Sequence, residues 1–231
     1  MGVVGADNMR RFRAETIPVP GEAFTLGKDP SHHLLRVTGI SPGESVEVFD
    51  GRGRSCFAVL ESVVDGCAVL RATQERPIVI RPKRLLITGL LKGSAFDSLV
   101  RMSTELGVDQ IWPVVLSRSV AKGDRLQRWN RIAASAAGQC GRSDIPEIRS
   151  PAPLSDCLDD VPSDMVRYVL VPGSPLIERP EGPAAVFLGA EGGLSKPEIA
   201  QSVEAGFQLA GLGTLTLRAE SAAAAVLSRL L

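Results

Sequence analysis

Apolar and polar positions alternate over three short stretches in the first third of the chain, and this pattern predicts β-strands. The stretches cover Ser45–Phe49, residues 56–60 and residues 67–71, with turn signals between them at 41–43, 50–53 and 65–66. Short strands at this spacing are typical of a compact β-rich module or small barrel. Pro77 and Pro82 bracket its expected end, so we predict a first domain over residues 9–76.

From residue 84 onward the pattern changes to apolar runs that alternate with stretches of helical periodicity. The alternation favours an α/β fold built on an open parallel sheet, in a second domain over residues 81–231. The predicted strands are 85–91, Gln110–Val115, 168–171, Ala184–Leu188 and 207–212, and the predicted helices are 95–106, 126–139, 196–205 and 220–231.

Composition narrows the class of protein. The 231 residues are 44% hydrophobic, which supports a real core, and the longest apolar runs fall far short of a membrane span. The opening residues have no basic segment followed by an apolar one, so no secretory signal is predicted. The four cysteines are scattered and there are only two histidines, so we expect no metal site and reduced thiols in a cytoplasmic protein.

Charge is unevenly distributed although the net charge is zero. Residues 81–142 hold eleven Lys/Arg and four Asp/Glu, a balance of +7, whereas residues 143–231 have a balance of −6. A basic segment in a neutral protein fits a face that binds RNA phosphates. The alternative is a solvated face whose charges pair with the acidic segment across the fold.

Three glycines lie between a predicted strand and a predicted helix, in Gly-Ala-Glu-Gly-Gly-Leu-Ser at residues 189–195. Ser195 and Glu198 have capping-box spacing, with Pro197 in the first helical turn. The spacing matches neither the dinucleotide-binding fingerprint nor a P-loop. Glycines leave the backbone open to close approach, so the loop is either a tight turn or a cradle for a small ligand.

A second segment, Leu-Gly-Thr-Leu-Thr-Leu-Arg-Ala-Glu-Ser-Ala at residues 212–222, precedes the last helix. With the glycine loop it resembles the C-terminal half of the SPOUT methyltransferases. It is most similar to the RsmE family, which methylates N3 of one uridine in 16S ribosomal RNA. Ala190 stands where that family usually has Pro, and Ser221 where it usually has Thr. Further matches extend over nearly the whole chain: 9–12, 32–34, 49–51, 91–93, 104–108, 139–142 and 145–146.

The resemblance implies a PUA-like RNA-binding β-barrel, followed by a SPOUT domain with a deep trefoil knot near residues 168–222. It also implies that S-adenosylmethionine binds in the knot and that no metal is required. Val171 and Pro172 are weaker candidates for the cofactor site. The main candidates are Leu188, Gly189, Gly192, Gly193, Leu212, Gly213, Leu217 and Arg218.

Methyl transfer to uracil N3 requires loss of the N3 proton, so the site needs a base or a cation that stabilises the uracil anion. Arg218 is the first catalytic candidate, and an ion pair with Glu191 or Glu220 is its structural alternative. Glu191 either serves as the base or fixes its own loop through backbone N–H groups. Each candidate for RNA binding has a local structural alternative as well: Arg10, Arg11, Arg118 and Arg142.

The last helix is apolar around most of its circumference, so it needs a second apolar neighbour beside its own sheet. The resemblance favours the same helix of a second chain and therefore a homodimer; the helix near 99–106 is the alternative. The expected partner is 16S ribosomal RNA within the small ribosomal subunit. Two other functions stay open: a SPOUT enzyme acting on transfer RNA or a ribose hydroxyl, and a non-catalytic RNA-binding or ribosome-assembly protein.

Overall fold

A computed structural model describes residues 9–119 and 125–230 of the chain, which divide into two compact units. Within the described residues, the first unit is the chain up to Ile80 together with Ala137–Ile145. The second is Arg81–Ala136 together with the chain from Pro146 onward. No helix in these residues is long and apolar enough to cross a membrane.

The first unit is built on a five-stranded sheet in the order β1-β3-β4-β5-β2. The three strands predicted from alternation are confirmed, and the last two are longer than predicted. β1 runs parallel to β3, and the other neighbours are antiparallel. The strands are β1 Arg11–Arg13, β2 Ala23–Thr25, β3 Ser45–Phe49, β4 Ser55–Val64 and β5 Cys67–Glu75.

The sheet of the first unit is open: its edges β1 and β2 have three residues each, and no closed barrel is found among the described residues. A short helix, α1 (Lys28–His32), continues into a π-helical turn at His33–Val37. Leu26 and Leu34, at either side of α1, are buried in the same core as the strands. The helix therefore helps to cover apolar surface that two short edge strands cannot enclose.

Residues 137–145 pack with the first unit although they follow it by more than fifty positions. The backbone N–H of Gly53 donates to the carbonyl of Ser143, and that of Ile145 donates to the carbonyl of Gly51. Gly51 has a φ of +78°, a backbone angle that favours glycine, and an added Cβ there would lie 2.8 Å from Cδ1 of Ile145. Periodicity along the chain contains no signal for such long-range pairing.

The second unit contains a parallel sheet in the order β12-β10-β11-β6-β7-β8, with β9 also paired to β7. This confirms the α/β class. β6 and β11 are central and buried along their whole length, which explains the apolar run of all five residues in β11 and of Leu85–Ile87 in β6. The strands are β6 Arg84–Gly89, β7 Gln110–Val115, β8 Glu147–Ile148, β9 Ala152–Pro153, β10 Val166–Leu170, β11 Ala184–Leu188 and β12 Gln208–Ala210.

The predicted helices are confirmed with ends that shift by a residue or two, except that the predicted last residue, 231, lies outside the described residues. The strands β1, β2, β8 and β9 and the helix α4 were not predicted, because two to six residues are too few to establish a period. The helices after α1 are α2 Ala95–Glu105, α3 Leu126–Cys140, α4 Leu154–Asp159, α5 Lys196–Glu204 and α6 Ala219–Leu230.

The terminal helix α6 packs against both β11 and α2. Its buried positions include Ala223, Val226 and Leu227, and α2 contributes the buried Phe96 and Leu99. The second apolar neighbour that this helix needs is thus α2 of the same chain. The apolar character of α6 consequently gives no independent support for a second copy.

The side chain of Arg84, the first residue of β6, connects this strand to the end of α6. It donates to the carbonyl of Leu230 through Nε (3.2 Å) and Nη2 (2.8 Å), and through Nη1 to the carbonyl of Gly182 (2.8 Å). Arg84 is 6% exposed, so a variant that loses this group would leave the buried carbonyl of Leu230 without these bonds.

We expect Arg84→Met to lower the free energy of unfolding by about 2–4 kcal/mol, because several charge-assisted hydrogen bonds are lost together. Lys83→Met is the matched control: Lys83 is exposed and pairs with Asp109, so its loss costs less than about 1 kcal/mol. Urea unfolding followed by circular dichroism measures both. Equal losses in the two variants would contradict the role of Arg84.

Candidate functional site

A cavity of about 620 Å³ lies where β10, β11 and β12 end. Loops at the carboxyl ends of parallel strands are where open α/β sheets bind ligands. Val171 and Pro172 follow β10, the glycine loop follows β11, and residues 211–217 follow β12. The start of α6 adds Ala219, Glu220 and Ala222 to the lining, and α2 and α5 add Ala95 and Ile199.

The glycine loop folds back tightly on itself at the end of β11. The N–H of Gly193 donates to the carbonyl of Ala190 at 2.9 Å, and Gly193 has a φ of +67°. A Cβ added to Gly189 would lie 2.7 Å from the carbonyl carbon of Gly193. Both positions therefore require glycine: Gly193 for its backbone angle and Gly189 for the close approach of two backbone segments.

A second close approach joins the loop after β10 to the chain that leaves β12. Gly211 donates to the carbonyl of Pro175 and accepts from Ile177, at 2.6 and 2.9 Å. A Cβ on Gly211 would lie only 2.4 Å from the carbonyl oxygen of Ser174. The loop after β10 and the segment after β12, which form two walls of the cavity, are thus in direct backbone contact.

Glu198, in the first turn of α5, stabilises the end of the glycine loop at Ser195. Its carboxylate accepts from the N–H of Ser195 at 2.7 Å, and the Ser195 hydroxyl accepts in return, so the predicted capping box is confirmed. The other carboxylate oxygen accepts from the N–H of Ser117 at 2.8 Å, which links α5 to the loop after β7. Burial raises the pKa of Glu198, but the hydrogen bonds from Ser195 and Ser117 outweigh it and leave the pKa lowered.

A lowered pKa in the folded state means that ionised Glu198 stabilises the protein above the carboxyl's unfolded pKa, near 4.3, and that this contribution disappears as the pH falls further. We therefore expect Glu198→Gln to destabilise the protein at pH 7, by about 1–2 kcal/mol, and much less near pH 3. Glu204→Gln, on the exposed face of α5, should have little effect at either pH. Urea unfolding at both pH values tests this; a pH-independent loss would refute it.

Arg118 is bonded to the glycine loop. Its guanidinium donates to the carbonyl of Gly192 at 3.1 Å and, at the 3.5 Å limit, to that of Leu194. Gly192 faces this side chain, since an added Cβ there would lie 3.0 Å from the Cβ of Arg118. Gly192 is accordingly the one main cofactor candidate that does not line the cavity; the other seven do.

The two catalytic candidates differ in their surroundings. The carboxylate of Glu191 accepts from the backbone N–H of Lys92 at 2.8 Å, a contact that favours the second of the two roles considered from the sequence. Arg218 is exposed at the cavity, and within the described residues it forms no ion pair with Glu191 or Glu220. Its charge is therefore available to a ligand.

The candidates for RNA binding in the first unit vary in how much charge they present. Arg10 is exposed and donates to the carbonyl of Thr38. Arg11 is 9% exposed, pairs with the buried Glu47 at 3.0 Å, and has its pKa lowered by burial. Arg142 is 10% exposed and pairs with Asp144 at 2.7 Å. Arg10 offers more free surface to a phosphate than the other two.

Part of the positive charge of residues 81–142 is neutralised by carboxylates within the same segment. Arg81 and Lys83 pair with Asp109, Arg101 pairs with Glu105, and Arg128 pairs with Asp97. These carboxylates belong to the same segment and not to the acidic one, and residues 120–124 lie outside the described part. Trp112 and Trp129 are buried and so belong to the core. The described residues contain no group of three or more His, Cys, Asp or Glu that could hold a metal ion.

The parallel sheet, the glycine loop and the cavity agree with a comparison against known families: the model of the RNA methyltransferase domain matches residues 81–231. A Synechocystis relative, ribosomal RNA small subunit methyltransferase E, is 30% identical over 89% of this chain and 72% of its own. The same-named Neisseria gonorrhoeae protein, solved with bound S-adenosyl methionine, is 30% identical, with 95% of each chain covered and a TM-score of 0.88.

A Legionella pneumophila protein described as a methyltransferase, in complex with the bound cofactor SAM, is 27% identical over 96% of this chain and 97% of its own, with a TM-score of 0.85. The fold and the family match define an RNA methyltransferase domain. The chain belongs, more narrowly, to the ribosomal RNA small subunit methyltransferase E family.

Proposed function

We propose that this protein transfers a methyl group from S-adenosylmethionine to N3 of one uridine in 16S ribosomal RNA. The observation that carries the proposal is the cavity at the strand ends, whose walls are the two segments that resemble the family. The relatives named above support both the cofactor and the class of substrate. A cytoplasmic location follows from a ribosomal substrate and remains part of the proposal.

The cavity fits the cofactor in size and chemistry. Leu188, Leu212 and Leu217 give it apolar surface for an adenine ring, and Gly189 and Gly213 leave backbone groups uncovered beside it. Gly192 acts indirectly, by allowing Arg118 to hold the loop. When bound, S-adenosylmethionine supplies a methyl group attached to a positively charged sulfur.

The chain's own residues must hold the uracil and help its N3 lose a proton. Arg218 is proposed to do part of this: it lines the cavity, has no ion pair within the described residues, and its guanidinium would stabilise negative charge that develops on the uracil oxygens. Glu191 keeps the loop in position through Lys92. Positioning of the two reactants contributes the remainder of the rate enhancement.

The finer features of the fold are also proposals. The deep trefoil knot is supported by Gly211, where the chain entering the last segment passes in backbone contact with the loop after β10. The first unit is proposed to be a PUA-like RNA-binding module, supported by its β-rich sheet and by the exposed Arg10. Arg11, Arg118 and Arg142 are weaker RNA contacts in this proposal, because each is already bonded within the protein.

A homodimer and action within the small ribosomal subunit rest on the family resemblance. Light scattering at micromolar concentration tests the dimer, and a monomer would refute it. If the dimer forms, the first unit of one chain can bind RNA while the second chain carries out the methyl transfer.

Nucleoside mass spectrometry tests the reaction. Ribosomal RNA from a strain lacking the gene should lack N3-methyluridine at one position in the small subunit, and the purified protein with S-adenosylmethionine should restore it. Methylation of transfer RNA or of a ribose hydroxyl would favour the other SPOUT activities. Absence of cofactor binding by calorimetry would favour a non-catalytic protein.

A further inference from the structure

Among the described residues, two carboxylates line the cavity, those of Glu191 and Glu220. They are not equivalent, because Glu191 accepts a 2.8 Å hydrogen bond from the N–H of Lys92 and so stabilises the loop. Glu220 has no hydrogen bond or ion pair from its side chain within the described residues. A half-buried carboxylate beside a cavity, without a protein partner, is available to a group that enters the cavity.

Glu220 also lies two positions from Arg218, which likewise has no ion pair in the part of the chain that the structure describes. Both side chains line the cavity, and no ion pair joins them within the described residues. The cavity therefore offers an acceptor for a proton and a cation for the anion that the loss of that proton leaves behind.

Glu220 lies in the first turn of α6. The charged groups that line the same cavity are Glu191 and Arg218. On α2, which packs against α6, Asp97 pairs with Arg128 and Arg101 pairs with Glu105, so these groups are already engaged.

We propose that Glu220 is the catalytic proton acceptor for uracil N3, an inference that rests on the proposed function. The Glu220 carboxylate takes the N3 proton, and the N3 electron pair forms a bond to the methyl carbon. The bond from that carbon to the sulfonium sulfur breaks, its electrons remain on the sulfur, and Glu220 returns the proton to water. Arg218 stabilises the uracil anion while it exists.

Glu220→Gln tests this, because it preserves shape and removes the basic oxygen. We expect its single-turnover rate on unmodified small subunits to fall by about 100-fold at pH 7. The remaining rate should rise about tenfold per pH unit, since ionisation of the uracil itself must then supply the anion. The wild-type rate should depend on pH much less steeply. Calorimetric affinity for S-adenosylhomocysteine should change by less than about threefold, or roughly 0.7 kcal/mol.

Glu204→Gln, outside the cavity on α5, is the control and should keep the wild-type rate and pH profile. The inference fails if Glu220→Gln loses less than tenfold in rate, keeps the wild-type pH profile, or loses affinity for S-adenosylhomocysteine in proportion to its rate. A wild-type protein that methylates no uracil N3 would instead overturn the proposed function.

Discussion

Gly189→Ala should weaken S-adenosylhomocysteine binding by at least about 100-fold, equivalent to about 2.7 kcal/mol. The added Cβ would lie 2.7 Å from the carbonyl carbon and 3.0 Å from the Cα of Gly193. Both contacts are backbone atoms, so rotation of a side chain cannot relieve them and the loop has to open. Because that loop forms one wall of the cavity, the site loses its shape while the rest of the sheet persists.

The matched control is Gly182→Ala in the same unit. Its added Cβ meets no heavy atom within 4 Å, and its backbone angle suits any residue, so binding should remain at the wild-type level. Isothermal titration calorimetry gives both affinities, and circular dichroism verifies that both variants are folded. A folded Gly189→Ala protein with wild-type affinity would show that the glycine loop is only a turn.

Arg218→Met should lower the single-turnover methylation rate by about 10²–10³-fold, the loss typical of removing one group that stabilises a developing anion. Methionine keeps much of the side-chain length but carries no charge. Since Arg218 forms no ion pair within the described residues, little folding stability should be lost with its charge. Affinity for S-adenosylhomocysteine should fall less than about tenfold, about 1.4 kcal/mol, because the leucines and backbone of the cavity remain.

Arg229→Met, in the last turn of the same helix, controls for removing a positive charge from α6. It should leave the rate unchanged, since Arg229 does not line the cavity. If Arg218→Met reduced affinity for the cofactor product as much as it reduced the rate, Arg218 would be a cofactor contact with no role in stabilising the uracil anion.

Sequence alone predicted the parts of this protein that depend on neighbouring residues. Alternation and helical periodicity identified β3, β11 and α2, because those patterns reflect which face of a short segment is buried. The capping box at Ser195 was equally predictable, since its partners are three residues apart. The order of the motifs identified the family, and with it the region of the cavity.

Tertiary structure decided which distant groups meet. Glu198 reaches Ser117 across 81 positions, Glu191 reaches Lys92 across 99, and Arg84 reaches Leu230 across 146. It also supplied α2 as the apolar neighbour of α6 and left the sheet of the first unit open. Local patterns cannot specify these contacts, because chain topology determines which of several chemically equivalent partners comes within hydrogen-bonding distance. From the sequence only Glu191 was considered as a base, and only the folded chain showed that its carboxylate is engaged by Lys92 while the Glu220 side chain has no partner within the described residues.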